Sequence, residues 1–165
     1  MTTLPGEPTE PWTWHGPART VTGRTWGGCI EVLQWILTAG RFPADATVLE
    51  GGVLLLETSE ELIPAVEFGL ILRSLGERGL LAAADAVIVA RPPTSDFTVR
   101  PSPEERRAKR HDQRDTAVSI VSHYNPEAVV VVGPPFGHTR PQWIVPYGGT
   151  MTVDGRDQRL FADYG

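Results

Sequence analysis

The sequence has a single cysteine, Cys29, so it can form neither an intrachain disulfide nor a cysteine-based metal cluster, which suits a reducing cytoplasm. Histidine is also scarce. His15, His111, His123 and His138 show no close pairing that would set two metal ligands on one face, so neither a metal nor another cofactor is expected. Basic charge is in deficit: 15 Lys and Arg stand against 20 Asp and Glu, a net charge of -5, which argues against a nucleic-acid partner. The one basic cluster, Arg106-Arg107-Ala108-Lys109-Arg110, is flanked by Glu104, Glu105, Asp112 and Asp115, and reads as a mixed-charge solvated helix face rather than an anion patch. No stretch approaches the roughly 20 apolar residues of a membrane span. Residues Met1 to Pro11 lack the basic start and apolar run of a signal peptide. A soluble cytoplasmic protein is expected.

What is present is a chain long enough for one domain, with 41% hydrophobic residues to build its core. Residues 1–18, with Pro5, Pro8, Pro11, Pro17, Trp12 and Trp14, read as a linker, and 19–165 as the folded unit. Gly27-Gly28 opens an apolar run from Cys29 to Ala39, ended by Gly40 with Pro43 beyond, which predicts a helix buried on most sides. Val53-Leu54-Leu55-Leu56, Ala86 to Ala90 and Val129 to Val132 are short continuous apolar runs bounded by turn-forming residues, the pattern of interior strands. Thr58 and Glu61 form a capping-box pair, predicting a helix to about Arg78 that stops at Gly79. Its apolar residues fall on two sides, Leu62, Ile63, Val66 and Leu70 against Phe68, Ile71, Leu72 and Leu75, which implies contact with two layers or with a partner. Ser102-Pro103-Glu104-Glu105 is a second capping box, starting a helix to about Tyr124 that Asn125-Pro126 closes. From Trp143 to Tyr164 antiparallel strands are expected, with Asp154-Gly155 as a two-residue hairpin turn. The fold class that follows is α+β, with mixed α/β layers: short parallel core strands, three helices and a C-terminal antiparallel hairpin.

Two of the predicted strands end in loops bearing an ionisable residue, Glu57 after the first and His138 in Gly133-Pro134-Pro135-Phe136-Gly137-His138-Thr139 after the third. Loops at the ends of buried strands combine a rigid base with access to solvent. A glutamate accepting the Nδ1–H of a histidine fixes its tautomer and leaves Nε2 as general base for a hydroxyl nucleophile. Taken singly, Glu57 fits an ordinary helix-cap acid and His138 a loop histidine satisfied by backbone. The third member is missing: none of Ser59, Ser74, Ser95, Ser102, Ser119 and Ser122 lies in a Gly-x-Ser-x-Gly turn. Cys29 at a helix start could be activated by the helix dipole, but its apolar setting favours a buried structural thiol. Gly27-Gly28 could cradle an anion, though close backbone packing is the commoner use of such a pair.

Five segments taken in order, Thr25-Trp26-Gly27-Gly28, Leu55-Leu56-Glu57-Thr58-Ser59-Glu60, Leu75-Gly76-Glu77-Arg78-Gly79, Phe136-Gly137-His138-Thr139 and Pro146-Tyr147-Gly148-Gly149, resemble the C-terminal domain of LD-carboxypeptidases. The Trp12-x-Trp14 pair and His138-Thr-x-Pro-Gln-Trp143 resemble more closely the branch that contains the microcin C immunity peptidases. The resemblance implies a swivelling ββα-type domain from a two-domain, metal-independent serine peptidase with a Ser-His-Glu triad, commonly a homodimer. Glu57 then matches the triad glutamate and His138 the triad histidine, while the nucleophile serine and oxyanion hole belong to an N-terminal domain and are needed from another chain. Implied substrates are the L,D-amide before a terminal D-alanine in cell-wall peptides, or peptidyl and aminoacyl nucleotides. The alternative is a non-catalytic remnant or interaction module that dimerises or modulates a full-length homologue. Two positions depart from the family pattern: Cys29 stands where Asn is usual after the two glycines, and Pro134-Pro135 precedes Phe-Gly-His.

Overall fold

The structure is a computed structural model that describes residues 10–41 and 46–164. The part of the expected linker up to Thr9, and Pro43, lie outside the described residues. Seven strands form one sheet in the order β1-β5-β4-β3-β2-β6-β7: β1 (Thr13–His15), β2 (Thr20–Cys29), β3 (Val53–Glu57), β4 (Ala86–Val89), β5 (Val129–Val132), β6 (Thr150–Asp154) and β7 (Arg159–Asp163). Strands β2, β3, β4 and β5 run parallel; β1 is antiparallel to β5, and β6 and β7 pair antiparallel beyond β2. Four helices complete the fold: α1 (Ile30–Thr38), α2 (Ala65–Glu77), α3 (Leu80–Ala83) and α4 (Pro103–Tyr124). The mixed α/β layering expected from sequence is therefore present, with four helices in place of three.

The parallel strands read as unbroken apolar runs because both faces are covered. Side chains alternate across a strand. Leu54, Leu56, Val87, Val89, Val130 and Val132 pack under the helices, together with Ile30, Leu33, Phe68, Leu72 and Val121. Val53, Leu55, Ala86, Ile88, Val129 and Val131 face the other way, onto Phe136, Met151 and Val153, with Trp12 and Trp14 at the margin. The tryptophans of the expected linker thus border the second core, and Thr13–His15 between Pro11 and Gly16 add an edge strand to β5.

Several expected elements differ. Gly27 and Gly28 belong to β2 rather than to a helix start. The first half of β2 (Thr20–Arg24) pairs with β6 and the second (Thr25–Cys29) with β3, so one strand joins the antiparallel hairpin to the parallel core. At Gly27 φ is +144° and a Cβ would overlap the Leu55 carbonyl, so close packing of β2 on β3 accounts for the glycine. Helix α1 is buried on one stripe (Ile30, Leu33, Leu37) and not on most sides: Val32 and Trp35 face solvent.

Thr58 caps no helix. Ser59 turns its N–H and hydroxyl to Glu31, Leu62 adopts φ +54°, and Ile63 precedes Pro64, where helical geometry is disfavoured, so α2 starts only at Ala65. One side of α2 (Phe68, Ile71, Leu72, Leu75) is buried as expected; on the other, Val66 and Leu70 are 71% and 62% exposed. Helix α4 begins as expected, Ser102 and Glu105 making both bonds of the capping box. The C-terminal hairpin turn is Gly155–Gln158 rather than Asp154-Gly155, because Asp154 pairs with Arg159 and its carboxylate accepts from the N–H groups of Arg156 and Asp157. Residues 143–149, expected to be extended strand, join no strand: 143–146 are irregular, 147–148 form a turn, and Thr25 holds Gly148 and Gly149 by backbone bonds.

Candidate active site

Parallel strands deliver their C-terminal ends to one edge of the sheet, and the loops that leave that edge meet there. Glu57 closes β3 and is buried by the strand's own register between β2 and β4. The loop after β5 returns across the end of β4: Arg91 N–H donates to the Pro134 carbonyl (2.9 Å), and Phe136, 1% exposed, plugs the core beneath. Gly137 follows with φ +72°, and its missing side chain leaves the space that the Glu57 carboxylate fills.

This places His138 on Glu57. Nδ1 donates to Oε2 at 2.7 Å, and the His138 backbone N–H donates to the same oxygen at 3.2 Å. The carboxylate side chain is 7% exposed and the imidazole 43%, so one face of the ring is fixed and the other is open. An Nδ1–H bound to a carboxylate leaves Nε2 as the proton-accepting nitrogen. Here Nε2 lies 3.3 Å from Oε2 of exposed Glu60. The imidazole pKa is raised, first by its hydrogen bond to Glu57, against burial, and then by the charges of Glu57, Glu60 and Glu31.

The loop beyond His138 is pinned from β4. Arg91 Nε donates to Thr139 Oγ1 (3.1 Å) and its Nη2 to the Arg140 carbonyl (2.8 Å). Trp143, following this loop, meets Trp12 edge to face with ring centroids 4.9 Å apart. Two of the sequence segments quoted above clasp each other beside the site: Thr25 N–H donates to the Gly149 carbonyl (2.9 Å) and Gly148 N–H to the Thr25 carbonyl (3.0 Å). Tyr147 belongs to the second of these segments, and its phenol pKa is raised by burial and then by Glu57 and Cys29.

Glu31, in the first turn of α1, escaped the reading of the sequence. It is 8% exposed and accepts from the Ser59 N–H (3.1 Å), the Ser59 hydroxyl (2.9 Å) and the Cys29 thiol (3.2 Å), fixing the loop that leaves Glu57. Its only signal was an acid at a helix N-terminus, where the dipole favours one; Ser59, 28 positions away, gave none. Burial pushes the Cys29 thiol up to about 11, with Glu31 and Glu57 adding to the rise, so it stays protonated at neutral pH and is a poor nucleophile. No serine hydroxyl of the described residues bonds His138. The arrangement is a histidine held through Nδ1 by a buried carboxylate, with its Nε2 facing the exposed carboxylate of Glu60.

A profile of the LD-carboxypeptidase C-terminal domain matches residues 22–153. Among solved structures, the chain is similar to a MccF-like protein from Streptococcus pneumoniae in complex with AMP, at 26% identity and TM-score 0.76, covering 96% of this chain and 45% of that one. It is also similar to a MccF-like protein from Bacillus anthracis str. Ames (17% identity, TM-score 0.68, 92% and 42% covered). The microcin C7 self-immunity protein MccF in complex with aspartyl sulfamoyl adenosine shares the fold at 16% identity and TM-score 0.69, with 93% and 41% covered. The chain therefore spans less than half the length of each of these proteins. No curated protein matches it.

Proposed function

We propose that this chain, which belongs to the LD-carboxypeptidase C-terminal domain family, supplies the acid and the base of a Ser-His-Glu amide hydrolase, with the serine nucleophile coming from a domain outside these residues. The supporting observation is the 2.7 Å bond from His138 Nδ1 to the buried Glu57 carboxylate. In that reading His138 Nε2 takes the proton of the incoming serine hydroxyl as its oxygen attacks the amide carbonyl carbon. Glu57 stabilises the imidazolium and does not itself take the proton. The imidazolium then protonates the departing amine, and Nε2 next activates the water that releases the acyl group. The unit that docks with the nucleophile domain is residues 19–165, and a full-length homologue or a second copy of the chain is the natural partner.

The substrate is an amide of a small peptide or of an aminoacyl nucleotide. The nucleotide side draws support from the Streptococcus pneumoniae relative, which holds AMP. The test is to mix the purified chain with the serine-bearing N-terminal domain of a full-length family member and to offer a tetrapeptide ending in D-alanine and an aspartyl sulfamoyl adenosine analogue with a cleavable amide. Hydrolysis by the mixture, abolished by His138→Ala, is expected. An inactive mixture that nevertheless forms a complex would refute the assignment.

A second reading, a non-catalytic interaction module, draws support from Glu60. Its carboxylate stands 3.3 Å from Nε2, where a nucleophile hydroxyl would have to be, so the base is already occupied in the isolated domain. Under that reading the mixture stays inactive and Glu60→Ala does not awaken it.

A further inference from the structure

Helix α4 carries more than a mixed-charge face. Arg107, Arg110, His111 and Arg114 recur at helical spacing on one side, and that side closes over a cavity of about 230 Å³ together with Arg91, Glu10 and Thr13. The acids that accompany this cluster in sequence do not cancel it. Asp115 takes Arg114 (3.1 Å) and His111 (3.1 Å), and Glu10 takes Arg110 through Nε and Nη2 at 3.0 and 2.7 Å with Arg107 at 3.8 Å. Arg91 meets no carboxylate within ion-pair distance among the described residues; its bonds go to a hydroxyl and a carbonyl. Four guanidinium groups against two carboxylates leave an excess of two positive charges in a chain whose net charge is -5.

The cavity wall holds a second signal. Thr13 lines it, and the Thr13 hydroxyl, buried just behind that wall, has no hydrogen-bond partner among the described residues. Two residues along β1, on the same side of the strand, His15 Nε2 is likewise buried without a partner among the described residues. Buried polar groups are rarely left unmatched, and each unmatched group points to an absent partner or a cost.

We propose that this cavity is a binding site for a phosphate group, held between Arg91 and the Arg107–Arg110–Arg114 side of α4 with the Thr13 hydroxyl as a further donor. Guanidinium forks match tetrahedral and planar oxyanions bidentately, and the excess of two charges fits a dianion rather than a monocarboxylate. Glu10 is the built-in competitor: it occupies the fork of Arg110 and repels an incoming anion. Because Arg91 also holds Thr139 and Arg140, an anion on Arg91 adjoins the loop that carries His138.

The experiment is an NMR titration of the isotopically labelled chain at pH 7.5 and constant ionic strength with inorganic phosphate, and in parallel with glycerol phosphate. Saturable shifts confined to Arg91, Thr13 and the α4 arginines are expected. Arg91→Gln and Arg114→Gln should each weaken binding by about tenfold or more, the loss of one charge-assisted hydrogen bond. Thr13→Val, which alters no charge, should weaken it by a smaller factor, and Glu10→Gln should tighten it. Arg73→Gln and Glu50→Gln, outside the cavity, should change nothing. Tighter binding of glycerol phosphate than of inorganic phosphate assigns the site to an ester, and the reverse order to the free ion. Shifts reproduced by chloride, an Arg73 variant as weak as the Arg91 variant, or a Glu10→Gln variant that binds no better would each overturn the proposal. None of these readouts depends on hydrolysis.

Discussion

Replacing Gly137 by alanine tests whether the Glu57 carboxylate is fixed by the space the glycine leaves. Gly137 has φ +72°, and a Cβ there would overlap the carboxyl group of Glu57. Gly51 supplies a matched control, with φ +70° and no atom within 4 Å of a Cβ. The backbone cost of alanine in this region is about 1–2 kcal/mol, offset by roughly 0.4–1 kcal/mol from the stiffer unfolded chain, so Gly51→Ala should cost about 1 kcal/mol. Gly137→Ala adds displacement of a buried carboxylate that accepts both the backbone N–H and Nδ1 of His138. Losing a hydrogen bond to a charged group costs about 1.5–3 kcal/mol, which brings the total to about 2.5–4 kcal/mol. With a urea slope near 2 kcal/mol per molar, the midpoint should fall by about 0.5 M for the control and by about 1.3–2 M for Gly137→Ala. Equal losses in the two variants would show that the carboxylate is free to move aside, and would remove the basis for an oriented base.

Three further outcomes follow from the same structure. The folded pKa of His138 is raised, so its contribution to stability is complete below its ordinary value near 6.5 and is lost as pH climbs through the folded value; the stability gap between the wild type and His138→Asn should narrow on going from pH 6 to pH 9, and a widening gap would contradict the Glu57 bond. Ser102→Ala removes the side-chain half of the capping box on α4 and should cost about 1 kcal/mol in urea unfolding, whereas a change within error would mean that the first turn is held by other contacts. Phe68→Ala empties a fully buried position beneath α2 and should cost about 3–5 kcal/mol, read from the same midpoint shift; a loss below 1 kcal/mol would place α2 elsewhere.

The three central strands were legible because burial on both faces leaves an unbroken apolar run, and their shortness, β-branched residues and flanking turn formers separate them from a buried helix. The start of α4 was legible because Ser102 and Glu105 satisfy each other locally. The start of α2 was not: Thr58 and Glu61 carry the same spacing, but the amide and hydroxyl of Ser59 are taken by Glu31 from a different element, and Pro64 sets the true boundary. Strand β2 was hidden by Gly23, Gly27 and Gly28, residues with no side chain to show a period; Gly27 is explained by the close approach of Leu55 in β3 and Gly23 by the Gly51-Gly52 backbone, neither of which local sequence shows. The arginine cavity was invisible for a related reason. Local sequence shows the acids beside the α4 arginines, whereas Arg91 arrives from the segment after β4 and adds a positive charge, and Thr13 arrives from β1.

The Glu57–His138 couple shows what sequence could nominate and topology had to supply. The two residues are 81 positions apart, and their strands are not neighbours, since β4 lies between β3 and β5. Adjacent strands stand about 4.8 Å apart, so the strand ends are separated by roughly 10 Å and side chains rooted there would not meet. The loop after β5 closes that distance: Pro134 is tied to Arg91 at the end of β4, Phe136 is buried on the core, and Gly137 then allows the chain to turn against the carboxylate. Each anchor comes from β4 or from the loop itself. The spacing between Glu57 and His138 is therefore set by the middle strand, which makes Arg91 a positioning residue for His138 although its hydrogen bonds go to Thr139, Arg140 and Pro134 and not to the imidazole or Glu57.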